Sequence, residues 1–408
     1  MVSQRFRTVL AVAVALTMLC GCTGPGEPTP QQVDLAALDI GSNSIDPMAP
    51  PATSNDKYGR VLESVRMGEV MLDPVEVDPT LTFGVQQRTA PLPTPLTAAG
   101  ILAERVREAL ESHGMLAGFA VSGSDVNLVG KRPEVGASRL LTVLLLRFPD
   151  DLSARLAARQ MNATDAAISQ ENVDVRIEGY PGAFAHWRPN VPSMAATYAH
   201  GSFVISALVA LTSPDQQALT GTVRKVFDAQ IPRLRDFRGT PPADFDTLPL
   251  DRDGMQARTL PFGPGRWTHP TVVTADTDTN AGWSASLSMY GVVLGPRATR
   301  LMKHYGFKEP IELAAINDFD VLERFPDAVS ARKVFDMERK AVDPAELIET
   351  PAGVPDVYCT LLRSSPASPH QANCHVLYGR YTAAVTGWSA MNARQRTAAQ
   401  YALLVRSE

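Results

Sequence analysis

The chain has 408 residues, 45% of them hydrophobic, a length for two or three domains with substantial cores. Its 38 Lys and Arg against 43 Asp and Glu give a formal charge of −5, which excludes the basic footprint that nucleic acid requires. Gly and Pro, at 28 and 32, are too few for a collagen-like or wholly disordered chain.

The N-terminus is basic at Arg5 and Arg7 and continues into the apolar run Val9–Leu19, which is too short to span a bilayer as a helix. Residues 1–21 therefore read as a secretory signal. The run ends in Leu19-Cys20-Gly21-Cys22, where a small residue precedes a cysteine and Leu stands three places ahead of it, the pattern of a bacterial lipobox. That assigns acylation to Cys22; Cys20 fits poorly, because Leu19 would stand beside the cut. Each buried acyl methylene contributes about 0.8 kcal/mol to membrane attachment, so an acylated Cys22 holds the body at the outer face of the cell membrane. A plain secreted protein and an uncleaved anchor are the alternatives.

Residues 22–55 are rich in Pro, Gly, Ser, Thr and Gln and read as a flexible tether. A first module, 56–240, opens with helices over Asp56–Glu69, carrying Val61 and Val65 at helical spacing, and Ala98–His113, stopped by Gly114. The strand Leu140–Phe148 leads through Pro149-Asp150 into the helix Leu152–Ile168. Strands Val173–Ile177, Ala195–His200 and Ser202–Leu211 follow, then a helix to about Ile231 with Pro214 at its entry. A second module, 241–408, has a strand ending near Phe325 and a helix Ala328–Lys340. Strands Val357–Leu362, Cys374–Tyr378 and Tyr381–Trp388 come next, then a helix Ala393–Val405.

The two modules are copies. Arg147-Phe148-Pro149-Asp150 with Ser153-Ala154-Arg155 recurs 177 residues later as Arg324-Phe325-Pro326-Asp327 with Ser330-Ala331-Arg332. Gly201, Phe203 and Gln217 meet Gly379, Tyr381 and Gln395 at an offset of 178, and Pro181 meets Pro355 at 174. The order β-α-β-β-β-α in each predicts an α+β fold, a largely antiparallel sheet with helices packed on one face.

Cys359 and Cys374 remain after the signal and lipid cysteines, and outside the cytoplasm such a pair reads as a disulfide. The duplication aligns them with Ala185 and Ala196, so the first module lacks both partners together. The rival reading is a metal site built from Cys359, Cys374, His375 and His370. Asp276, Asp278 and Asn280 alternate as calcium ligands do, but Ala281 and Leu287 stand where a calcium loop requires Gly and Glu, and a turn between strands explains the same residues.

The run Leu38-Asp39-Ile40-Gly41, the segment Gly59–Met67, Val77-Asp78-Pro79, a turn at Ala117-Gly118-Phe119 and the strand ending in Arg147-Phe148 resemble a family of actinobacterial lipoproteins of unknown function, with an N-terminal and a C-terminal domain in one chain. The resemblance implies a membrane-attached envelope protein and carries no catalytic residue. A looser likeness is to mycobacterial envelope lipoproteins and sensor ectodomains with helices on a sheet.

There is no HExxH, GxSxG, GxxxxGK[ST] or GxGxxG, and no motif implies a cofactor. Gly282-Trp283-Ser284 and Gly387-Trp388-Ser389 start like a nucleophile elbow but lack the closing Gly. Trp187, Tyr198, Phe203, Tyr381 and Trp388 read as core, or as the lining of an apolar pocket for an acyl chain. The expectation is a non-enzymatic, lipid-anchored envelope protein that binds a lipidic or cell-wall ligand or an envelope protein partner. An envelope hydrolase and a membrane scaffold are the alternatives.

Overall fold

The computed structural model describes residues 33–85, 88–128, 134–263, 265–274, 287–302, 309–362 and 370–408. Cys22 and the signal, the loop with Asp276, Asp278 and Asn280, and Gly282-Trp283-Ser284 lie outside them.

The first module runs α1 (Asp56–Gly68), α2 (Pro74–Val77), β1 (Phe83–Gly84), β2 (Ala90–Pro91), α3 (Pro95–Ile101), α4 (Arg107–Ser112), β3 (Ala117–Ser124) and β4 (Leu140–Arg147). It continues with α5 (Asp151–Ala166), β5 (Val173–Asp174), β6 (Phe184–Trp187), β7 (Ser193–His200), β8 (Phe203–Ala210) and α6 (Gln216–Gln230). A hairpin, β9 (Thr271–Thr274) with β10 (Leu287–Tyr290), leads to the second module: β11 (Val292–Leu294), α7 (Pro296–Met302), β12 (Leu313–Asn317), β13 (Asp320–Arg324) and α8 (Ala328–Ala341). It ends with β14 (Leu347–Ile348), β15 (Val357–Leu361), β16 (Ala372–Tyr378), β17 (Tyr381–Gly387) and α9 (Ala390–Arg406).

The duplication is visible strand by strand. One sheet is ordered β1-β3-β4-β8-β7-β6-β5, with β2 beside β3, and the other β11-β12-β13-β17-β16-β15-β14. All pairs within them are antiparallel. Arg147 pairs with Phe203, and Arg324 with Tyr381, as the two offsets require. The repeated Arg-Phe-Pro-Asp run is a strand-to-helix joint. Phe148 and Phe325 are fully buried, and Asp150 and Asp327 cap α5 and α8 by accepting the Ser153 and Ser330 amides at 2.7 Å each. Both copies turn between their last two strands on a glycine with positive φ, Gly201 and Gly379, where any Cβ would be strained.

Helices cover both faces of each sheet rather than the single face expected. Side chains alternate along a strand, so Thr197 and Tyr198 of β7 point to opposite sides. Thr197 donates to the Ala158 carbonyl of α5, whereas Tyr198 packs on Phe227 of α6. In the second sheet Leu377 joins the α8 residues Val334 and Phe335, and its neighbour Val376 joins Ala398 and Ala402 of α9. A strand such as Leu140–Arg147, buried throughout, needs cover on both sides.

Several local expectations shift. The helix expected over 98–113 starts earlier, at Pro95, where Thr94 and Thr97 form a capping box, and is divided at Leu102, whose backbone leaves the helical region. Ala117-Gly118-Phe119 is not a turn but the start of the buried strand β3, where a Cβ on Gly118 would stand 2.9 Å from the Leu145 carbonyl. Of the strand expected over Val173–Ile177 only Val173–Asp174 forms, as β5, and it pairs with β6, a strand the sequence pattern does not predict. Asp215 caps α6, so Pro214 lies outside the helix rather than at its first position. The tether is shorter than 22–55: Leu38 is buried in the second core with Val33, Leu35, Ile40 and Ile45 packed around it. Pro242–Thr247 folds onto α1, with Phe245 fully buried, so the packing of the first module passes residue 240.

The modules share a core. Val292, Leu294, Ala298, Leu301 and Ile316 of the second belong to the same buried cluster as Val61, Phe119 and Phe148 of the first. Around it, Glu69 accepts the Arg297 and Ala298 amides at the start of α7, and Glu76 bridges Arg233 and Arg297.

Candidate functional site

The Cys359 and Cys374 sulfurs are bonded to each other across β15 and β16, where the two residues are direct partners. They are therefore not offered to a metal. Ala185 and Ala196 are likewise direct partners across β6 and β7, so the bridge occupies a site the first module fills with two alanines. His375 stacks on Tyr358 at 4.7 Å, and His370 meets Phe319 edge-on at 5.2 Å. Among the described residues no group of three or more His, Cys, Asp or Glu is placed to hold a metal ion. The Ser389 hydroxyl accepts the Asn392 amide as the cap of α9, a structural role.

Sequence spacing gave no sign of the polar cluster between α5 and the first sheet. His186 on β6 and Asn162 and Asp165 on α5 are brought together there. The His186 Nδ1–H donates to Asn162 Oδ1 at 2.9 Å, and Nε2 faces Asp165 Oδ2 at 3.4 Å. Burial pushes the imidazole below its usual range, against the pull of the Asp165 and Asp174 carboxylates, and burial raises the Asp165 carboxyl. Burial thus disfavours the charged form of both groups. The cavity beside them, lined also by Thr142, Thr197 and Ser206, measures about 50 Å³, far below the ~300 Å³ at which ligand pockets begin. It does not accommodate an acyl chain.

An open groove of about 830 Å³ lies where β6 meets the start of α6. Trp187, Arg176, Gln216, Gln217 and Thr220 line it. The Trp187 indole donates to the Val191 carbonyl at 2.7 Å, which fixes the ring while leaving it partly exposed. Trp187 is thus neither simple core nor part of an enclosed apolar pocket. Trp388 departs further from expectation: it stands past the end of β17 and is largely exposed.

Two domains cover most of this architecture: the domain of unknown function DUF7373, N-terminal, matches residues 50–250, and its C-terminal counterpart matches residues 266–407. The chain belongs to the DUF7373 family. The two DUF7373 domains correspond to the two sheets and their helices. No curated protein matches the chain. Among solved structures, this DUF7373 chain is similar to the extracellular domain of PknH from Mycobacterium tuberculosis, at 12% identity and a TM-score of 0.28, over 40% of this chain and 94% of that one.

Proposed function

We propose that the chain is an extracytoplasmic lipoprotein of an actinobacterial envelope, held to the membrane by acylated Cys22, whose body binds a polar cell-wall ligand without catalysis. The observation that carries this reading is the groove at Trp187. A fixed, partly exposed indole offers an apolar plane, and the guanidinium and amides of Arg176, Gln216 and Gln217 beside it offer donors and acceptors, the complement of a sugar with one apolar face and a ring of hydroxyls. A lipid held inside the body is disfavoured by the 50 Å³ cavity. The hydrolase alternative finds its nearest counterpart in His186 and Asp165, which face that same cavity, too small for a glycan.

Two measurements test the reading. Cys22→Ala releases the protein from the membrane fraction, and retention there overturns the anchor. For the groove, solubilised cell-wall fragments titrated onto the labelled protein shift the Trp187 indole resonance, and Trp187→Ala abolishes binding while leaving the melting temperature near that of the parent. Unchanged affinity in Trp187→Ala overturns the site.

A further inference from the structure

The groove at Trp187 carries one charge that the protein itself does not answer. Arg176 is exposed on the groove wall and makes no ion pair or hydrogen bond among the described residues. Its outward position follows from the chain on either side. The Val175 amide donates to the Ala185 carbonyl at 2.9 Å, which continues the pairing of β5 with β6, and Val175 and Ile177 are both buried, so Arg176 between them turns to solvent. Other arginines of these segments are matched. Arg188 faces Glu171 at 3.5 Å, and Arg224 lies against Glu178 at 2.9 Å and Asp228 at 3.7 Å. Glu178, two residues beyond Arg176, is therefore engaged elsewhere.

The groove lining also includes a carboxylate, Asp215, but that group is committed to its own helix. It caps α6 by accepting the Ala218 amide at 2.9 Å, at the end where the helix dipole offsets a negative charge. Arg176 remains as the uncompensated charge of the site. A planar guanidinium presents paired N–H donors that match the two oxygens of a carboxylate or phosphate, and the fixed indole beside it supplies an apolar plane. The chain as a whole has a net charge of −5 and exerts no general attraction on anions, so recognition of an acidic group falls to this one residue.

We propose that the groove selects acidic glycans, with Arg176 receiving a carboxylate or phosphate borne by the sugar while Trp187 takes the face of a ring; this rests on the sugar-binding reading of the groove given above. The amides of Gln216 and Gln217 take hydroxyls and do not discriminate by charge. Arg176 is thus the specificity-determining residue of the site.

The test titrates the full chain with solubilised cell-wall fragments in four forms: untreated, with carboxyl groups amidated, dephosphorylated, and with both treatments. The parent is expected to bind the untreated form about tenfold more tightly than the doubly treated one, a difference of about 1.4 kcal/mol, and the gap narrows with added salt. Loss on amidation alone assigns the carboxylate, and loss on dephosphorylation alone assigns the phosphate. Arg176→Gln removes the preference without moving the melting temperature, Arg176→Lys keeps part of it because the charge stays while the fork is lost, and Arg224→Gln leaves it intact. Equal binding of all four forms by the parent, with Trp187→Ala still abolishing it, overturns the acidic selection and leaves the sugar-binding reading standing. A preference that persists in Arg176→Gln overturns the role of Arg176. Failure of the parent to bind any form overturns the selection and the groove together.

Discussion

The carboxylate of Glu63, wholly buried on α1, receives the Arg147 guanidinium of β4 at 2.6 Å, and the same carboxylate accepts from Arg66, from the Thr240 amide and from the Thr240 hydroxyl. One side chain thereby ties the first helix to the central strand and to the segment that leaves α6. Removing it strands Arg147 in the interior. Glu63→Ala is expected to lower unfolding free energy by about 3–5 kcal/mol, measured by urea denaturation, whereas Glu63→Met with Arg147→Met recovers most of the loss.

Arg88 presents the opposite case. It is almost fully buried, its Nη1 has no hydrogen-bond partner, and burial pushes its guanidinium down to about 10. A buried cation so poorly matched opposes folding. Arg88→Met, of similar volume, is expected to raise stability by about 1–3 kcal/mol, and a lower urea midpoint would contradict this.

The disulfide is expected to be dispensable for the fold but not for its stability. Because Ala185 and Ala196 form the same strand pair without a bridge, Cys359→Ala with Cys374→Ala retains the native circular dichroism. Opening a loop of this size costs about 3 kcal/mol, which thermal melting of the double variant reads directly. Alkylation of the denatured, unreduced chain is expected to modify neither Cys359 nor Cys374.

The joint between modules responds to acid. Burial pushes the Glu76 carboxyl up, but its hydrogen bonds and ion pairs with Arg233 and Arg297 push it down further, so it ends below its ordinary value of 4.5. A carboxyl depressed in the folded state stabilises the fold above its unfolded pKa, and that stability is lost as pH falls through the folded value. Asp73 nearby, raised by burial, contributes with the opposite sign. Urea midpoints taken from neutral pH to about pH 3 are expected to fall less steeply in Glu76→Gln than in the parent, from a lower starting value.

Much of this architecture was legible in the residues. The Arg-Phe-Pro-Asp repeat encodes a strand end, a buried anchor and a helix cap in consecutive positions, so it marks both joints and the offset between them. What failed to show was whatever depends on side chains converging from distant segments. Trp187, Gln216 and Gln217 come to line one groove only because the fold brings distant segments round it, and His186 meets Asp165 only because α5 crosses the sheet. Gly118 looks like a turn residue because its reason for being glycine, the Leu145 carbonyl, belongs to another strand. Trp388 reads as core because it continues an apolar strand pattern that ends one residue earlier.

The core that runs from Val61 to Ile316 has a consequence for how the two copies persist. Each sheet repeats the other, yet neither half keeps its own apolar surface covered, since a chain divided near residue 260 would bare Val292, Leu294, Ala298 and Leu301 on one fragment and their counterparts on the other. The duplicated halves have thus become a single cooperative unit. Calorimetry is expected to record one transition for the whole body, and neither half expressed alone to give a sharp one.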